Sequence, residues 1–116
     1  MRQQAVYDGY NAKLPNTAGE TEVVGGLCEY RIVVHLIACG AFRYEDDEGP
    51  ISVRLERKAR GSAEGYWVAY KRSNRKLHKT YVCEAQALDP YNLHDAYKRL
   101  LANVAAHHNQ EHAVPP

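Results

Sequence analysis

Two runs of β-favouring residues between positions 65 and 82 flank a short polar turn, and they constrain the fold more than any other feature. Tyr, Trp, Val and Thr are enriched in strands. The turn at Ser73-Asn74 suits a hairpin, because Asn tolerates a positive φ. Alternation along the first strand places Tyr66 and Trp67 on opposite faces of the sheet. The pattern predicts a β-hairpin in which basic and aromatic side chains interleave.

A further strand is predicted upstream of this hairpin. Ile51, Val53 and Leu55 alternate with polar or charged residues, which is the pattern of a strand with one face in the core. The acidic run at 45–48 precedes this strand and leads into a Gly-Pro pair. Because Gly and Pro favour turns, we interpret the run as a solvated turn and not as a cation site.

A C-terminal helix is predicted to begin at Asp89. Asp is a preferred N-cap residue, and Pro90 suits the first helical position because its missing N–H has no helical partner there. Leu93 and Leu100 belong to an apolar stripe that recurs at steps of three and four residues. We expect the helix to end near residues 106–108.

The first part of the chain has no sustained hydrophobic period. Residues 1–26 contain several Gly, Asn and Pro residues, which predicts an extended or partly disordered arm with a short strand near 21–24. Residues 27–39 form an apolar run bounded by glycines. This run favours a strand buried on both faces, although periodicity alone leaves a short helix open. His35, inside the run, is expected to be a hydrogen-bonded core residue.

Together these elements predict an α+β fold, with a small antiparallel sheet of three to five strands packed by one C-terminal helix. The expected organisation is an arm at 1–26, a single domain at 27–108 and a tail at 109–116. Trp67 is the only Trp of the chain. It fits either a core anchor beneath the helix or an exposed ring that stacks on a base.

Charge is unevenly distributed along the chain. The net charge is +1, so the whole chain is not a polycation. Residues 52–80, however, hold nine cations and two acids, a net charge of +7. We call residues 52–80 the basic segment. Segregated charge of this kind can create a local positive field despite a nearly neutral total.

Other features narrow the class of protein. The three cysteines show no CxxC spacing, and we interpret them as reduced structural thiols. The sequence shows no signal peptide and no apolar run of membrane-spanning length. Phosphate-loop, nucleophile-elbow and HExxH motifs do not occur, and His108 and His112 have only Glu111 near them as a further metal ligand. We therefore expect a cytoplasmic protein with no enzymatic activity, no metal and no other cofactor.

Several short runs between Phe42 and Ala102 form a recognisable pattern of strands and a helix start, namely Ile51-Ser52-Val53-Arg54-Leu55-Glu56-Arg57, Tyr66-Trp67-Val68-Ala69-Tyr70, Lys76-Leu77-His78-Lys79-Thr80-Tyr81, Ala87-Leu88-Asp89, Leu93 and Leu100-Leu101. With these residues, the stretch from Phe42 to Ala102 resembles a short module of bacterial LuxR-type transcriptional regulators. More distantly, it is similar to the arm-type DNA-binding domains of tyrosine recombinases and to the sheet-type DNA-binding domains of plant transcription factors. This resemblance implies that the sheet lies in the major groove of DNA, with Arg, Lys and aromatic contacts.

The basic and aromatic hairpin is therefore the candidate binding site. A nucleic-acid-binding module, for double-stranded DNA in transcription regulation or recombination, is the first expectation. The alternative is a protein-interaction or oligomerisation module, in which the apolar segment 27–42 forms a dimer interface and the acidic turn docks on a basic partner. No membrane partner is expected. The candidate nucleic-acid-binding residues are Arg54, Lys71, Arg72, Asn74, Arg75, Lys76 and Lys79.

Overall fold

The computed structural model describes residues 5–9, 11–15, 21–26, 30–46, 48–60, 64–73 and 75–112. Within these residues, one sheet carries two helices. The strands are β1 (Ala5–Tyr7), β2 (Ala12–Pro15), β3 (Thr21–Gly25), β4 (Ala41–Asp46), β5 (Gly49–Arg57), β6 (Gly65–Ser73) and β7 (Lys76–Glu84). The helices are α1 (Tyr30–Cys39) and α2 (Pro90–His112), and a 3₁₀ turn at Ala85–Ala87 connects β7 to α2.

The strand order in the sheet is β3-β2-β1-β4-β5-β6-β7. All neighbours pair antiparallel except β1 and β4, which run parallel. The α+β class is confirmed, and so is a C-terminal helix that packs on the sheet, against β6 and β7. The sheet has more strands than the expected three to five, and α1 is a second helix.

Trp67 is the centre of the core between the sheet and the helices. Its side chain is fully buried, and its ring centroid lies 5.3 Å from that of Phe42 in an edge-to-face pair. The indole Nε1 donates a hydrogen bond of 3.0 Å to the carbonyl oxygen of Ala85. Because it is buried, Trp67 is a core anchor and not an exposed stacking ring. Truncation of a buried Trp to Ala lowers the free energy of unfolding by about 3–5 kcal/mol.

The predicted start of α2 is confirmed. The backbone N–H of Asn92 donates to Asp89 Oδ1 at 2.6 Å, which is the N-cap hydrogen bond expected of Asp at this position. Leu93 and Leu100 are fully buried. The helix continues to His112, beyond the predicted end at 106–108 and into the segment expected to be a tail.

The apolar run at 27–39 is a helix where it is described, and the prediction of a buried strand was wrong. Ile32, Val33, Leu36 and Ile37 are buried, a spacing that places them on one helical face. His35 lies on the opposite, exposed face, so its expected core position was also wrong. The helix ends where Gly40 adopts a φ of 75° and its N–H bonds to the carbonyl of Leu36 at 2.9 Å.

The N-terminal arm also differs from its prediction. The short strand predicted near 21–24 is confirmed as β3, but residues 5–7 and 12–15 are also strands of the sheet. Ala5, Tyr7 and Ala12 are buried in the core. β1 lies beside Phe42, Arg43 and Tyr44 of β4. Parallel pairing joins segments that are far apart in the sequence, so no local sequence pattern predicts the pairing of β1 with β4. The described part of the arm therefore belongs to the domain.

A β-bulge in β7 sets which side chains reach the core. Trp67 pairs with Cys83 and Val68 with Tyr81, which leaves Val82 as the extra residue. Val82 and Cys83 are consequently both buried, while Tyr81 points away from the helices. Without the extra residue, Tyr81 and Cys83 would share one face.

Candidate nucleic-acid interface

The sheet has one face that no helix of the described residues covers. We call this face, as contributed by β5, β6 and β7, the open face. Its residues follow from the strand registers, which place directly paired side chains on the same side of a sheet. They are Ser52, Arg54, Glu56, Tyr66, Val68, Tyr70, Arg72, Leu77, Lys79, Tyr81 and Glu84.

Aromatic side chains form a groove in the open face. Tyr66 and Tyr81 are 42% and 49% exposed, and their ring centroids lie 5.8 Å apart. Val68, directly opposite Tyr81, is buried, and Tyr70 lies two residues further along the same strand. The groove has a volume of about 430 Å³ and also contains Glu56 and Lys79. A planar ligand could therefore contact both rings and charged groups here.

The structure brings three of the predicted site residues together. Arg54, Arg72 and Lys79 lie on neighbouring strands of the open face, and all three are exposed. Each of the three either pairs directly with another residue of the open face or lies two positions from one on the same strand. Their side chains therefore project from the same side of the sheet. These cations are the electrostatic centre of the candidate interface.

The other predicted residues lie elsewhere. Lys71 belongs to the helix-bearing face, where it is half-buried with its Nζ 3.5 Å from the carbonyl oxygen of Pro50. Lys76 pairs with Ser73 at the end of the hairpin, on that same face. Arg75 is exposed in the turn itself, with a φ of 65°. Asn74 lies outside the described residues, and Ser73, predicted to be in the turn, is the last residue of β6 and pairs with Lys76.

The basic segment is thus divided between several surfaces. Arg57 uses its guanidinium within the fold, where Nη2 donates to the carbonyl oxygen of Ile37 at 2.7 Å. Lys58 and Arg60 lie in the loop after β5. The open face itself holds three cations and the two carboxylates Glu56 and Glu84, a net charge of +1. Its positive field is weaker than the +7 of the basic segment suggests.

The acidic run at 45–48 was predicted to be a solvated turn, but Glu45 and Asp46 belong to β4, and this interpretation was wrong for them. Both carboxylates make contacts within the chain. Glu45 forms an ion pair with Arg43, and Asp46 accepts a hydrogen bond of 2.8 Å from the Tyr44 hydroxyl. His94 Nδ1 lies 3.5 Å from Asp46 Oδ2. Burial first, and then the hydrogen bond to Asp46, raise the pKa of Tyr44 above its ordinary value. In the part of the chain that is described, no cluster of three His, Cys or carboxylate groups could hold a metal ion.

Sequence reasoning missed three residues of the open face, namely Glu56, Tyr66 and Tyr81, as site residues. The signal was present, because Glu56 alternates with Leu55 and Tyr66 with Trp67. The sequence alone does not show on which side of the sheet the helices pack. Once Trp67 is known to be buried, the outward direction of Glu56 and Tyr66 follows from alternation, whereas that of Tyr81 depends on the bulge.

Comparison with family models, curated proteins and solved structures found no match to this chain. The resemblance to the regulator module therefore stays a prediction. Neither helix, over the residues described, combines the length and the apolar character needed to cross a membrane. The chemistry of the open face is the basis for a functional proposal.

Proposed function

We propose that this protein binds nucleic acid, and specifically double-stranded DNA, through the open face. The observation that carries the proposal is an uncovered sheet surface that holds Arg54, Arg72 and Lys79 together with exposed tyrosines. Cations on one surface neutralise phosphates and release their counterions. Tyr hydroxyls and Arg side chains also donate hydrogen bonds to phosphate and to base edges.

The edge of the sheet has dimensions that suit the major groove. Neighbouring strands lie about 4.8 Å apart, and β6 and β7 form a two-stranded ribbon at the β7 edge, while β5 continues into β4 and the rest of the sheet. The major groove of B-DNA is about 12 Å wide and admits a β-ribbon. The turn that follows β6 then lies at the end of the groove, where Arg75 and Lys76 can reach a phosphate backbone.

The number of available cations sets the expected salt dependence. Three open-face cations, together with Arg75 and Lys76 at the turn, allow about five phosphate contacts. Each contact adds about −0.9 to the slope of log affinity against log salt. Raising the salt from 50 to 200 mM should therefore weaken binding roughly 500-fold. A surface that used all nine cations of the basic segment would show a much steeper loss.

Fluorescence anisotropy with a labelled duplex, measured as a salt titration, tests the proposal. Lys79→Gln removes one charge from the open face, and Lys98→Gln removes one exposed charge from α2, on the other side of the sheet. We expect Lys79→Gln to weaken binding and to reduce the salt slope by about 1, and Lys98→Gln to change neither. Absence of wild-type binding at 50 mM salt, or equal effects of the two variants, would overturn the proposal.

The alternative of an interaction or oligomerisation module is not favoured by any specific contact. Most of the described apolar side chains on which it depended are used inside the chain, since Ile32, Val33, Leu36 and Phe42 are buried in the domain core and Val34 is exposed. The described carboxylates at 45 and 46 likewise contact groups of the same chain. Sedimentation velocity of the wild type at several concentrations would reveal self-association, which the alternative requires and the DNA proposal does not.

A further inference from the structure

Glu56 is a carboxylate at one end of the open face, where it and Glu84 lie on either side of Tyr66. It is exposed on β5, two residues after Arg54 and directly opposite Tyr66 of β6. It also lines the aromatic groove of the open face. A carboxylate at this place repels phosphates, so its role on a DNA-binding surface is expected to be different from that of the cations around it.

The Glu56 side chain is held in one orientation. The Tyr70 hydroxyl donates a hydrogen bond of 2.8 Å to Glu56 Oε1. The Tyr70 phenol is a donor at neutral pH because its ordinary pKa is 10.0, and burial and this hydrogen bond raise that pKa further. Among the described residues, Oε2 accepts no hydrogen bond. The result is an anionic acceptor that is fixed on one side and open on the other.

The major groove presents few donors to such an acceptor. Each base edge has its own pattern, in which the exocyclic N4 amino group of cytosine is a donor and the edge of guanine offers two acceptors. A Glu carboxylate accepts from cytosine N4, whereas a Gln amide pairs with the donor and acceptor of adenine. The chemistry of Glu56 Oε2 therefore matches one base better than the other three.

We propose that Glu56 reads a base, accepting a hydrogen bond from the N4 amino group of a cytosine in the major groove, with Tyr70 as its positioning residue. This inference rests on the proposed DNA binding and adds a sequence preference to it. Arg54, Arg72 and Lys79 then supply affinity for any sequence, and Glu56 supplies discrimination at one position. A well-placed contact of this type discriminates against a wrong base by about 5- to 150-fold.

The test compares the sequence preferences of the wild type and two variants by selecting bound duplexes from a randomised library. Glu56→Gln removes the charge and changes the hydrogen-bonding pattern. Glu84→Gln is the matched control, because Glu84 is an exposed carboxylate of the same face that lies at the edge of the sheet. We expect the wild type to prefer cytosine at one position and Glu56→Gln to change that preference to adenine, while Glu84→Gln keeps the cytosine.

The outcomes separate this inference from the proposal on which it depends. If the wild type enriches no duplex and shows no binding by anisotropy, both are wrong. If the wild type binds DNA and Glu56→Gln raises affinity for all sequences equally, as Glu84→Gln is expected to do, DNA binding stands and base reading by Glu56 is wrong. A Tyr70→Phe variant that retains affinity but loses the cytosine preference supports the positioning role, and an unchanged preference contradicts it.

Discussion

Arg57 and Ile37 are joined by a hydrogen bond of 2.7 Å between the guanidinium Nη2 and the main-chain carbonyl oxygen. Ile37 lies in the last turn of α1, where carbonyl groups have no partner within the helix. A cation is also stabilised by the negative end of the helix dipole. One of the nine cations of the basic segment therefore connects β5 to α1 and is withdrawn from any ligand surface.

Replacement of Arg57 should consequently affect folding and not DNA binding. Arg57→Gln removes a charge-assisted hydrogen bond and should lower the free energy of unfolding by about 1.5–3 kcal/mol, as measured by urea denaturation. Affinity for a DNA duplex, measured at a temperature where the variant is folded, should change by less than about twofold. A stable variant with strongly weakened DNA binding would place Arg57 in the interface instead.

Arg75 offers a substitution that separates charge from stability. Its φ of 65° lies in the left-handed region, which costs a residue with a Cβ about 1–2 kcal/mol. Arg75→Gly relieves this strain and should raise stability by up to about 1 kcal/mol, after the larger entropy of unfolded Gly is subtracted. Arg75→Ala removes the same charge and retains the strain, so thermal melting of the two variants isolates the backbone effect.

Both Arg75 variants should lose about one phosphate contact. We expect the salt slope for duplex binding to fall by about 1 in each case, because the removed charge is the same. Equal melting temperatures for the Gly and Ala variants would contradict the strained turn. An unchanged salt slope in both would remove Arg75 from the interface.

Tyr44 should make the protein sensitive to alkaline pH. Its folded-state pKa is raised above the ordinary value of 10.0, so above about pH 10 the unfolded chain releases a proton that the folded chain retains. Stability is then complete below pH 10 and falls as the pH rises, by at most about 1.4 kcal/mol per pH unit for this group. Urea denaturation between pH 8 and pH 11 measures the decline.

The Tyr44→Phe variant is the control for this titration. It loses the hydrogen bond to Asp46 and should be about 1 kcal/mol less stable at pH 8. Its stability should decline less steeply above pH 10, since Phe releases no proton. Parallel curves for the wild type and the variant would show that other groups cause the alkaline loss.

The two described cysteines should react at very different rates. Cys83 is buried, and burial raises its pKa to about 12, so little of the reactive thiolate forms at neutral pH. Cys39 is exposed at the end of α1. Alkylation followed by peptide mass spectrometry should label Cys39 in the native protein and Cys83 only when the sheet opens. Equal labelling of both thiols in the native protein would contradict the packing of β7.

Local sequence patterns predicted the second half of the fold well. Alternation around Val53 and Trp67, and the cap at Asp89, depend on residues close in the chain, where period and propensity act directly. The first half was missed for two physical reasons. The β-branched residues of α1 gave a strand signal that tertiary packing overrides, and β1 depends on a parallel partner remote in sequence.

The candidate site was predicted in composition and not in geometry. Arg72 and Lys79 point outward as alternation requires, but a list of nine cations contains no information on which face the helices cover. Contacts with segments distant in the sequence determine where two of these cations lie. Arg57 donates a hydrogen bond to a carbonyl of α1, and Lys71 is half-buried beside Pro50. The bulge at Val82 is a further example, since an extra residue in one strand is decided by pairing with its neighbour.

The parallel pairing of β1 with β4 has a consequence for the order of folding. Val6 and Arg43 are partners separated by 37 positions, whereas Ser73 and Lys76 of the last hairpin are three apart. Closing a long loop costs more entropy and slows the formation of its contacts. We therefore expect the hairpins from β4 to β7 to assemble first and β1 to dock last. In the native protein, the amide hydrogens of β1 should exchange with solvent long before those of β6. The part of the sheet around β1 is then the part that opens most readily.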